Sequence, residues 1–115
     1  MKSYVLRSYD NGGQWGWEDR PVPQPGPGEV LVRVRAAGLN PLDRMIAEGQ
    51  FKQLFSYSLP QVMGQELAGI VEKVGPGVAS DWMGEKIFTR PSIHALGAFA
   101  EYAVVRAEDY CPHAE

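Results

Sequence analysis

The stretch "EVLVRVRAAGLNPLDRMIAEG", residues 29–49, changes its period in the middle. In its first half Val30, Val32, Val34 and Ala36 alternate with Leu31, Arg33, Arg35 and Ala37, the period-two pattern of a strand with one face wetter than the other. From Asn40 onward the period is helical. Leu42, Met45 and Ile46 fall at i, i+3 and i+4, so they share one face of a helix of about two turns. The ends of that helix are marked as well. Asn40 is a favoured N-cap, Pro41 suits the first helical position, Asp43 stands three residues after the cap, and Gly49 can take the left-handed stop. Every polar residue here therefore has a structural reason to be present.

Upstream, "RPVPQPGPG" carries too much proline for a helix or a central strand. Further strand candidates are "SYVLRS", "QWGWED", "LAGIVEKV", "EKIFT" and "FAEYAVVR", separated by "DNGG", "GPG", "MGE" and "ALG". Glycine (13) and proline (9) make up about a fifth of the chain and cluster between these segments, as loops would. The expectation is a mainly β fold, a small barrel or sandwich with one or two short helices. There is no internal repeat and no low-complexity tract.

A chain of 115 residues is one domain by length and buries roughly two-thirds of its unfolded surface, so it needs neither metal nor disulfide to fold. The net charge of −3, from 11 basic and 14 acidic residues without a basic run, argues against nucleic acid and gives no reason to invoke an anionic membrane. The single cysteine, Cys111, cannot form an internal disulfide, and "MKSYVLRSYDNGG" has no apolar core of signal-peptide length. No run approaches the ~20 apolar residues of a membrane span. The cytoplasm, a soluble and reducing compartment, is the expected location.

The polar pair Gln65 and Glu66 stands just ahead of the strand in "MGQELAGIVEKVGPGV", residues 63–78. Its simplest reading is a solvated strand opening. In "VGPGVAS" a phosphate-cradling loop would need a third glycine where Ser80 stands, and Pro76 lacks an amide donor, so the segment reads as a turn. Zinc needs three or four converging ligands, and Cys111, His94 and His113 have no ligand-pair spacing. Both histidines read as loop residues, and no metal site is expected.

In order, "PVPQPGPGEVLVRVRAAGLNPLDRMIAEG", "LPQVMGQELAGIVEKVGPGV", "MGEKIF" and "GAFAEYAVV" resemble the N-terminal GroES-like domain of the medium-chain dehydrogenase/reductase superfamily. The resemblance runs from about Tyr4 to Pro112 and implies a partly open β-barrel over residues 1–115. Zinc alcohol dehydrogenases of that superfamily carry a Cys where Asn40 stands and Gly-His-Glu where Gly64-Gln65-Glu66 stands, and they have a cysteine-rich structural-zinc lobe that is missing here. The "GLNP" pattern is similar to the zinc-free quinone oxidoreductase branch, the relatives of zeta-crystallin, in which the Asn lies beside the nicotinamide. The resemblance thus implies a catalytic set of Asn40, Gln65 and Asp43, a cofactor-facing set of Asn40, Met45 and Phe51, NADPH as cofactor and no zinc. Met45 departs from many relatives, which have Tyr there.

Reduction of a quinone or enone places developing negative charge on oxygen, and an amide donor such as Asn40 or Gln65 can stabilise it without a metal. Relatives continue into a Rossmann domain that holds most of the cofactor and often pair as homodimers, whereas this chain stops at "YCPHAE", about where that domain would begin. The expectation is an N-terminal fragment of an NADPH-dependent quinone oxidoreductase that is inactive alone. Two alternatives stay open: a stand-alone GroES-like binding or assembly module without catalysis, and an enoyl-thioester reductase domain in which Tyr57 replaces the phenol absent at Met45.

Overall fold

The computed structural model describes residues 1–50, 53–54, 57–91, 96–107 and 110–112, the last three by backbone alone. The central element is the strand β3 (Glu29–Gly38), and the others are β1 (Lys2–Ser8), β2 (Gln14–Asp19), β4 (Gln61–Val62), β5 (Glu66–Val74), β6 (Lys86–Thr89), β7 (Tyr102–Arg106) and β8 (Tyr110–Pro112). Among the described residues, one α-helix, α1 (Pro41–Ala47), and two single-turn 3₁₀ segments, Asp10–Gly12 and Ser80–Trp82, complete the set. The strands form two open antiparallel sheets, β2-β1-β4 and β7-β3-β5-β6-β8, joined by a bridge between Ser3 and Ala100. The mainly β, partly open architecture expected from the sequence is therefore the one observed.

Strand β3 departs from simple alternation. Leu31 is as buried as Val30 and Val32, while Ala36 and Ala37 are both exposed. Two irregularities in its pairing with β5, between Leu31 and Val32 and between Val34 and Ala36, break the period. A bulge shifts successive side chains off strict alternation. The β7 neighbour also ends early: pairing on that side runs from Glu29 to Arg33 only. The proline-rich segment before β3 is irregular, as expected, and "VGPGVAS" is a turn. Gly28 donates to the Pro76 carbonyl at 3.0 Å and Gly75 to that of Glu29 at 2.7 Å, which ties the turn to the start of β3.

Helix α1 forms where the sequence marks it. The Leu42 N–H donates to Asn40 Oδ1 at 2.9 Å and the Asn40 N–H donates to Asp43 Oδ2 at 3.1 Å, a reciprocal cap. At the other end Gly49 has φ +86°, its N–H donates to the Ile46 carbonyl, and the Gln50 N–H donates to that of Met45, so the last carbonyls are satisfied by a left-handed stop. The buried face differs from the expected one. Asp43, Ile46 and Ala47 are buried, Leu42 packs partly, and Met45 is only half-buried.

Two apolar clusters hold the fold. Val30, Val32, Leu67, Val71, Ile87, Ala98, Ala103 and Val105 fill the five-stranded sheet, while Leu6, Ile46, Ala47, Met63 and Leu96 join α1 to the smaller sheet. Phe99 packs against both clusters. Each fully buried Leu, Ile or Val contributes about 1.5–3 kcal/mol, so Ile46 alone is a substantial anchor for so short a helix. Phe99 approaches closely because Gly64 has no side chain: a Cβ there would sit 2.6 Å from the Phe99 ring, and its φ of +105° also demands glycine. Gly64 thereby fixes the chain one residue before Gln65.

Candidate active site

Register brings the polar residues together. In the β3–β5 ladder Gly38 pairs with Glu66, so "GLN" at the end of β3 meets "GQE" at the start of β5. In the β5–β6 ladder Leu67 pairs with Thr89, which sets Arg90 beside Glu66. Asn40, Asp43, Gln65, Glu66 and Arg90 thus converge at one end of the larger sheet, next to the N-terminus of α1.

Asp43 is the hub. It is 2% exposed and accepts from the Asn40 backbone N–H and, through Oδ1, from Gln65 Nε2 at 3.2 Å. Gln65 is itself only 4% exposed, so the solvated-opening reading fails for it. Burial raises the Asp43 pKa above its ordinary value; the Gln65 and Asn40 bonds pull it down, and the neighbouring Glu66 carboxylate adds a further upward push. Asn40 is half-buried: its Oδ1 is committed to the cap, and its Nδ2 faces Glu66 Oε1 at 3.4 Å. The same Glu66 oxygen lies 3.7 Å from an Arg90 nitrogen.

The arrangement therefore holds one buried carboxylate, one buried amide fixed to it, and one accessible amide whose orientation is set by its cap. Met45 lies on α1 and is half-buried. Phe51, His94 and His113 lie outside the described residues, as does the side chain of Cys111. Among the described residues no three of His, Cys, Asp and Glu converge. The resemblance implied Glu66 only as Gln65's neighbour on the floor of the site, with no catalytic role, and Arg90 was not among the expected functional residues. Glu66 had a signal, its place beside Gln65; Arg90 had none, because only strand register brings it near. Tyr57 packs on the cluster around Ile46 and Met63, and burial, with Tyr9 nearby, pushes its phenol up to about 12.

Residues 26–115 match the family model of the alcohol dehydrogenase GroES-like domain. The chain is 39% identical over 92 residues to a 2-haloacrylate reductase of Burkholderia sp, covering 80% of this chain and 27% of that protein. It is 35% identical over 86 residues to the quinone oxidoreductase of Homo sapiens, covering 75% of this chain and 25% of that protein. Among solved structures, the Escherichia coli quinone oxidoreductase complexed with NADPH superposes with a TM-score of 0.83 at 25% identity, covering 97% of this chain and 33% of that one. The chain spans about a quarter of the length of these curated relatives. No helix among the described residues is long and apolar enough to cross a membrane. The protein belongs to the alcohol dehydrogenase GroES-like domain family of the medium-chain dehydrogenase/reductase superfamily, whose members related to it include quinone oxidoreductases.

Proposed function

We propose that this chain is the substrate-side domain of a zinc-free, NADPH-dependent reductase of quinones or other α,β-unsaturated carbonyl compounds, the cofactor being held mainly by a Rossmann domain outside residues 1–115. The observation that carries the reading is the orientation of Asn40. Its Oδ1 is held by the Leu42 N–H, so its Nδ2 must face away from the helix, half-exposed, as a donor already in place. Such a donor stabilises charge developing on a carbonyl oxygen without reorganising at the moment of reaction.

Bound NADPH supplies the reducing hydride. Asn40 Nδ2 holds the substrate oxygen, or the carboxamide of the cofactor, at a fixed place. Asp43 and Gln65 are too buried to touch substrate in this arrangement; they position Asn40 by fixing its backbone N–H and the floor beneath it. Glu66 keeps Nδ2 aligned through a long contact that an incoming oxygen can displace. Met45 and Phe51 are assigned to flank the nicotinamide. The donor set does not suit zinc, which takes thiolate, imidazole or carboxylate ligands rather than the amides of Asn40 and Gln65. A cytoplasmic homodimer without nucleic-acid or membrane partners fits the same reading.

An enoyl thioester is the second substrate class, with Tyr57, a phenol packed on the cluster beneath α1, as the proton donor in place of the Tyr missing at Met45. The deciding experiment uses the protein with whatever sequence follows Glu115 in its reading frame, assayed with NADPH against a quinone and an enoyl thioester. Asn40→Ser keeps the cap but loses the donor, worth ~1.5–3 kcal/mol, and should lower kcat/KM roughly ten- to a hundredfold. Turnover equal to the parent would remove Asn40 from the chemistry. Tyr57→Phe should impair only the thioester reaction if that second reading holds.

A further inference from the structure

We infer that Arg90 is a positioning residue for the proposed reduction: it takes the Glu66 carboxylate away from Asn40 Nδ2 as the substrate oxygen arrives there, and it offsets the carboxylate's charge. The inference rests on the reading of Asn40 as the donor to that oxygen. Glu66 Oε1 has two donors beside it and is closed onto neither. Asn40 Nδ2 stands at 3.4 Å, the long limit of a hydrogen bond, and an Arg90 nitrogen at 3.7 Å, near enough for an ion pair but too far for a hydrogen bond. A carboxylate needed only to hold one of them would sit close to that one. This one is shared.

The sequence around Arg90 fixes its backbone and leaves its side chain free. Thr89, the end of β6, is 3% exposed and pairs with Leu67, while Pro91 is buried. A residue before proline is held extended. Between these two anchors the Arg90 side chain is 61% exposed, against 32% for Glu66. An exposed pair of this kind contributes little to stability, and β6 is already held by its ladder with β5, so stability alone gives Arg90 little reason to face Glu66. Its guanidinium carries five N–H donors in a rigid fork and can close on a carboxylate by a small side-chain rotation.

A substrate oxygen bound by Nδ2 comes to rest beside Glu66. In the proposed reduction the unsaturated carbonyl compound gains a hydride from the nicotinamide, which is left oxidised; a π pair moves onto the bound oxygen, and water supplies the proton afterwards. In between, two negative oxygens share one amide. Their repulsion grows once water is excluded from the site. Asp43, the other carboxyl group of the cluster, is buried and held by Gln65 and the Asn40 backbone, so it brings no relief. Arg90 does, because by closing on Glu66 it moves the carboxylate off Nδ2 and pairs its charge.

Two measurements test this. In residues 1–115, nuclear magnetic resonance of the Asn40 side-chain amide needs no substrate. Arg90→Gln should let Glu66 settle on Nδ2 and move one of its protons downfield, as a shorter charge-assisted bond does, and adding Glu66→Gln should abolish that shift. The second measurement uses the protein with whatever sequence follows Glu115, assayed with NADPH and a quinone. There Arg90→Gln should lower kcat roughly tenfold with KM little changed. Arg90→Lys should keep most of the rate, and Arg90→Gln combined with Glu66→Gln should recover it, since an amide oxygen still meets Nδ2 without a charge. An Asn40 amide that does not respond to Arg90→Gln overturns the inference. So does a loss of rate that Glu66→Gln fails to recover, because Arg90 would then act on substrate or cofactor directly. A parent inactive toward quinone and thioester alike overturns the proposed function instead, and the amide spectrum then decides alone whether Arg90 governs Glu66.

Discussion

Removing the Asn40 side chain separates its local from its chemical role. Asn40→Ala deletes the acceptor for the Leu42 N–H, a 2.9 Å bond at the first turn of a seven-residue helix. Losing such a cap costs ~1 kcal/mol. The Nδ2 contact to Glu66, long at 3.4 Å and half-exposed, adds little. The Asn40 backbone N–H still reaches Asp43, so that half of the cap survives. With an unfolding entropy of about 2.1 cal/mol/K per residue, a chain of 115 residues loses roughly 4 °C in Tm for each kcal/mol. Asn40→Ala should therefore melt roughly 4 °C below the parent, while Asn40→Ser, itself a good cap, should stay within about 2 °C. Calorimetry gives the midpoints, and hydrogen exchange at Leu42 reports the bond directly: protection should fall in the Ala variant and persist in the Ser variant. An Ala variant that melts with the parent and keeps Leu42 protected would show that the cap is not what holds this turn, and the fixed orientation of Nδ2 would lose its basis.

The buried Asp43 gives a pH signature. Its folded-state pKa lies above its ordinary 3.8, so its stabilising contribution is fully present below that value and is lost as pH rises through the folded pKa. The stability of the parent relative to Asp43→Asn should therefore grow on acidifying from neutral pH; denaturant melts showing the opposite slope would refute the buried-carboxylate account. Elemental analysis of protein purified without a metal-affinity tag should return well under one zinc per chain, and a full equivalent surviving chelator dialysis would contradict the zinc-free reading. Residues 1–115 alone should show no tight NADPH binding, because their sequence carries no glycine-rich phosphate-binding motif and pyrophosphate contacts supply much of dinucleotide affinity; micromolar binding by calorimetry would count against a cofactor site lying mainly elsewhere.

The sequence by itself determined what local physics controls. A strand through residues 30–37, a helix after Asn40, the Asn-Pro start and glycine stop of α1, and the Pro-Gly turn at Gly75–Gly77 all follow from backbone preferences over a few residues, and each has its counterpart in the structure, although the bulges of β3 break the expected alternation of its faces. The ordered motifs likewise resembled the family to which the chain belongs. Burial was another matter. Gln65 reads as a polar strand opening and lies buried; Met45 reads as core and stands half-exposed, while Asp43 takes the inward place on α1. These outcomes depend on what lies opposite, since a carboxylate can go inside only when donors from elsewhere in the chain meet it, and Gln65 comes from 22 residues away. The meeting of Asn40 with Glu66 and Arg90 was decided by strand register. Register is a property of paired strands, set by long-range packing and bulges, and no single stretch of sequence carries it.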